Sequence, residues 1–107
     1  MADEMAGVSD AFKAFLTEAP QHAQAWMAAV QALDGASALD EKTGELAYLA
    51  VLAALRLESG VPFHVQAAKR AGALRQEVIS AVLVGLPAAG NAVTQSLPAA
   101  LAAYDAP

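Results

Sequence analysis

The stretch from Glu45 to Gly72, ELAYLAVLAALRLESGVPFHVQAAKRAG, leaves the chain few choices. Apolar residues fill both sides of Glu58-Ser59-Gly60-Val61-Pro62, so the stretch reads as two apolar helices with one break. Elsewhere strand-favouring residues never alternate with polar ones over a useful length. Alanine, the strongest helix former, fills 29 of the 107 positions. The expected class is all-α, in one domain spanning 1–107.

Hydrophobic residues make up 57% of the chain, more than one small subunit readily buries. Surplus apolar surface marks association, so an oligomer is expected; the alternative is a compact monomer padded with alanine. The net charge is −5 and the six Lys and Arg are scattered, so no basic stripe exists to neutralise phosphates, and no nucleic-acid partner is expected. No apolar run approaches the roughly 18–20 residues that cross a bilayer. The opening MADEMAGVSD is acidic and lacks a signal-peptide core, so a cytoplasmic protein without a membrane partner is expected.

The chain has no cysteine, which removes disulfides, thiolate metal sites and thiol catalysis together. With only two histidines, a His/Cys metal site is excluded. A carboxylate-only site stays open although EF-hand spacing is absent, and the expectation is neither metal nor cofactor. Gly85 to Gly90 lacks the Gly-Lys-Ser/Thr ending of a phosphate loop, and there is no Gly-x-Ser-x-Gly elbow.

In chain order, residues 1–7 read as a frayed arm. Ser9 caps a helix to Glu18 with Phe12, Phe15 and Leu16 on its apolar face. Pro20 opens a second helix to about Leu33, carrying Ala25, Trp26, Ala29, Val30 and Leu33, which Asp34-Gly35 ends. Asp40 caps the central helix, expected to reach about Glu58 with Leu49, Leu52, Ala53 and Arg56 at helical spacing. Gly44 within it is either a weak point or a place of close backbone approach. Pro62 fits the first turn of the next helix, and Gly72 a left-handed stop. Arg75 to about Leu86 forms another helix, with Val78, Ile79, Val82 and Leu83 inward. Pro87 and Gly90 break the chain, and a last segment towards Tyr104 restarts near Ser96-Leu97-Pro98.

His64 shares a helical face with Ala67, Ala68 and Ala71, small residues that let a neighbouring helix confine the ring. It is either a proton-transfer group or a histidine that merely hydrogen-bonds a neighbour. Glu45 lies on the face of Tyr48, Leu49 and Leu52, where a carboxylate needs a partner unless it is simply a solvated first-turn residue. Tyr48 can add its hydroxyl to the same place or only pack there. His22, on a polar helix start, reads as surface.

Taken in order, Glu45-L-A-Y-L-A-V-L-A-A-L, His64-V-Q-A-A-K-R-A-Gly72-A-L-R-Q-Glu77-V and Gly85-L-P-A-A-Gly90-N resemble the carboxymuconolactone decarboxylase family, also called the AhpD-like fold, over about 40–93. The resemblance implies an AhpD-like helical bundle that assembles as a trimer or hexamer. It places Glu45 and His64, nineteen residues apart, at the family's proton-relay positions. The redox branch carries Cys-x-x-Cys where this chain has Leu57 and Gly60, so a peroxidase or peroxiredoxin label would be inherited from relatives. The decarboxylase branch needs no thiol. It implies a lyase-type reaction on a small carboxylated lactone, with His64 as proton donor and Glu45 orienting it. Gln66 stands where such relatives read Arg, which leaves Arg56 or Arg70 to hold a substrate carboxylate, and Leu74 stands where they often have a capping Thr or Ser. Tyr48, Arg56 and Gln66 are the candidate substrate-binding residues. The competing expectation is a non-catalytic helical oligomer that binds a ligand or partner.

Overall fold

The computed structural model describes residues 8–107, and the arm expected at 1–7 lies outside them. The described residues form helices α1 (Asp10–Glu18), α2 (Pro20–Ala36), α3 (Glu41–Leu55), α4 (Val61–Arg70), α5 (Arg75–Leu83), α6 (Leu86–Ala89) and α7 (Leu97–Asp105), with no strand among them. Single 3-10 segments, Glu58–Gly60 and Asn91–Ser96, precede α4 and α7.

Local chemistry explains most of the boundaries. The Ser9 hydroxyl accepts the Phe12 N–H at 3.1 Å to start α1, and the Asp40 carboxylate accepts the Thr43 N–H at 2.7 Å to start α3. Pro20, Pro62, Pro87 and Pro98 all lie in first turns, where a missing N–H costs nothing. At α5 the cap is half made: Leu74 has no side-chain acceptor, and only Glu77 closes the turn, its Oε1 accepting the Leu74 N–H at 2.8 Å.

Three expected ends move. α2 runs through Asp34-Gly35 to Ala36, because a helical glycine costs only about 1 kcal/mol and nothing crowds Gly35. α3 stops at Leu55 rather than Glu58, because Arg56 turns left-handed at φ 60°. The Leu57 N–H then reaches the Leu52 carbonyl at 2.9 Å, the long-range bond of a Schellman ending. Gly72, at φ 99°, ends α4 by the same device with no Cβ to strain, its follower Ala73 bonding Ala68 at 2.9 Å. α5 ends at Leu83, short of Leu86, and α6 is a separate turn stopped by Gly90 at φ 84°. No backbone approaches Gly44 closely.

The core sits where α3 packs on α4 and α5, with α4 also against α7. Leu49 and Leu52 meet Val61 and Val65 of α4, Val78 and Val82 of α5, and Val93 and Ala100. Leu49 is fully buried at the centre. Leu49→Ala is expected to cost about 3 kcal/mol in urea unfolding, from lost transfer energy plus a cavity; a cost below about 1 kcal/mol would mean the bundle collapses freely around the gap.

By contrast, α2 buries only Ala23, and its stripe Trp26, Val30 and Leu33 faces outward. The apolar periodicity is as the sequence implies, but α3–α7 do not cover it.

Surface carboxylates add a pH dependence. The Thr43 N–H holds Asp40 below the usual carboxylate range, the Leu74 N–H and then Lys42 do so for Glu77, and the Arg75 guanidinium, at 2.9 and 3.0 Å, does so for Asp105. Each folded value lies below its unfolded one, so the unfolded chain binds more protons, and the stability present above the carboxylate range drains away as pH falls through it. Tm is expected to drop below about pH 4, and to drop less in Asp40→Asn, which keeps a capping oxygen without a titrating group. Equal acid slopes in the two proteins would exclude Asp40 as a contributor.

Candidate functional site

Glu45 lies one turn inside α3, and His64 lies one turn inside α4. The α3–α4 seam brings them together although nineteen residues separate them: His64 Nδ1 and Glu45 Oε2 are 2.8 Å apart. Both side chains are about three-quarters buried, at 26% and 24% exposure, so the contact is sheltered yet reachable from one side. An ionised carboxylate only accepts, so Nδ1–H donates to Oε2 and leaves Nε2 as the ring nitrogen available to a substrate.

Two aromatic rings frame the imidazole. Tyr48, one turn beyond Glu45, stands 4.3 Å from it between centroids at a 41° tilt. Phe63 meets it edge-on at 5.2 Å. Both rings are partly exposed, as are Val51, Leu55 and Leu57 nearby in the chain. Phe63 was not singled out from the sequence. Its only signal there is adjacency to His64 at the start of a helix, which does not say which way a ring turns.

The other sequence candidates are held elsewhere. The Arg56 guanidinium donates to Gln95 Oε1 at 2.6 Å, tying the end of α3 to the second 3-10 segment. The Gln66 amide donates to the Ala103 carbonyl, tying α4 to α7. Neither contact includes His64 or Glu45. His22 is exposed on α2, as the sequence suggests. Among the described residues no three His, Cys, Asp or Glu side chains gather as a metal ion would require.

The positions matching the redox cysteines bracket the first 3-10 turn, with the Gly60 N–H bonded to the Leu57 carbonyl at 3.1 Å. Gly60 has an ordinary right-handed backbone, φ −86° and ψ −13°. A Cβ there would touch only Leu52 methyls, at 3.5 Å.

A separate open groove of about 680 Å³ runs between α3 and α5, floored by Leu46, Ala47, Ala50, Ala81 and Val84. Lys42 and Glu77 pair at 3.0 Å on its edge. At 100° per residue, Ala47 and Ala50 lie across α3 from Glu45, so the groove and the His64–Glu45 pair occupy different faces.

Compared with known proteins, residues 20–103 match the carboxymuconolactone decarboxylase family, beyond the 40–93 core at both ends. No curated protein and no solved structure matches the chain. No helix among the described residues is long and apolar enough to cross a membrane.

Proposed function

Because the chain belongs to the carboxymuconolactone decarboxylase family, we propose that it acts as a cysteine-independent, decarboxylase-like lyase on a small carboxylated lactone. The observation that carries this reading is the 2.8 Å contact between His64 Nδ1 and Glu45 Oε2 beneath two aromatic rings. Loss of CO2 leaves the C–C bonding pair on the lactone as an enolate, which needs a proton. His64 supplies it from Nε2 to a carbon of that extended enolate, and solvent restores it. Glu45 fixes the ring's orientation through Nδ1. Tyr48 and Phe63 give the flat substrate an apolar face to stack on. The working form is a cytoplasmic homo-oligomer, a trimer or hexamer by family likeness, with the surplus apolar surface as its physical support. A thiol peroxidase cycle needs a thiolate, and the sequence offers no cysteine to supply it.

Incubation with carboxymuconolactone should release CO2 in proportion to enzyme; no release above the uncatalysed rate across related lactone acids would remove the reading. One observation favours a second, non-catalytic ligand-binding reading: Arg56 and Gln66, which would grip a substrate carboxylate, are tied to Gln95 and Ala103. Saturable lactone-acid binding without CO2 release would select it.

A further inference from the structure

Helix α2 is built like half of an interface. From Pro20 to Leu33 it carries no Asp, Glu, Lys or Arg, although the chain as a whole is at −5. Trp26, Val30 and Leu33 fall within one narrow arc of the helix and are 55%, 37% and 71% exposed, with Met27 beside them at 36%. Charge depletion together with Trp and Met is the composition of an interface core rather than a solvated face. Within its own copy, α2 packs substantially only on α1.

The other half lies between α3 and α5. The alanines of that groove let a helix axis approach closely, and Leu46 and Val84 wall it. The dimensions agree: Trp26 to Leu33 spans about 10 Å of helix, and Lys42 to Ala50 spans about 12 Å. An uncharged helix also lets two acidic copies meet without like-charge repulsion.

We propose that α2 of a second copy of the chain seats Trp26, Val30 and Leu33 in the α3–α5 groove. This makes specific the homo-oligomer of the proposed function, and it leaves the His64–Glu45 face open to substrate.

The cysteine-free chain allows a clean test. Val30→Cys and Leu33→Cys, each mixed with Ala47→Cys or Ala50→Cys and oxidised, should give a disulfide-linked pair of chains in at least one mixture. Trp26→Glu should weaken self-association about 30-fold or more by light scattering, with helix content unchanged because the residue is outside the core. An oligomer in which no mixture cross-links would overturn the seating while leaving both oligomer and chemistry in place. A disulfide confined to one chain carrying both substitutions would show α2 folding onto its own groove, and a monomer at about 100 μM, well above a micromolar affinity, would exclude the contact; either result overturns the proposal.

Discussion

His64→Gln is expected to lower kcat for lactone-acid decarboxylation by about 10²–10⁴-fold, the usual share of a positioned acid–base group. Glutamine still offers Glu45 an N–H donor and fills much of the ring's place, so the seam should hold and the melting temperature should change little. What it lacks is a proton it can release. His64→Ala should lose as much activity and then regain part of it with added imidazole, which fits the space the ring leaves between Tyr48 and Phe63. A histidine that only braces the fold would behave otherwise: both variants would melt early, and imidazole would restore nothing. Glu45→Gln should cost less than His64→Gln, because Glu45 acts through the ring and its amide oxygen still accepts from Nδ1. Wild-type kcat in His64→Gln would end the catalytic assignment.

The parts of the fold legible in the sequence are those with a local chemical signal. Ser9, Asp40, Pro20, Pro62, Pro98 and Gly72 each mark a boundary by what one side chain or one φ angle permits, and the structure uses all of them. Boundaries without such a signal were misplaced. Arg56 takes a left-handed turn normally left to glycine, and its Gln95 contact is thirty-nine residues away in sequence. Gly35 resembles a stop but has open space and stays helical. The same division holds at the site. Glu45 and His64 each sit on a helix of recognisable pattern and the family likeness names them together, but their 2.8 Å contact comes from how α4 lies on α3. The tethering of Gln66 to Ala103 depends on how α7 lies on α4, which no local pattern reports. Periodicity gave α2 an apolar stripe, but not what covers it.

The combined Leu57→Cys and Gly60→Cys variant is expected to gain a redox-active dithiol in a chain whose background thiol signal is zero. A glycine at a turn can hold a positive φ that would strain any side chain. At φ −86° Gly60 does not, and the new Cβ would meet Leu52 methyls at ordinary contact distance. Leu57 is half exposed, so its replacement costs little core. The two positions close a single 3-10 turn, whose ends lie within about 7 Å, inside the reach of a disulfide. The thiol at position 60 would stand at the start of α4, where unpaired backbone N–H groups favour the thiolate, with His64 one turn further on. Mild oxidant should therefore remove both thiols from titration with little loss of helix. Alkylation at position 60 should be at least about 10-fold faster than for an unperturbed cysteine of pKa near 8.5, and should slow when His64→Gln is added. Two thiols that stay reduced, or that react at the ordinary rate whether or not His64 is present, would show that the turn and the ring do not form one site. The imidazole would then be placed for Glu45 alone.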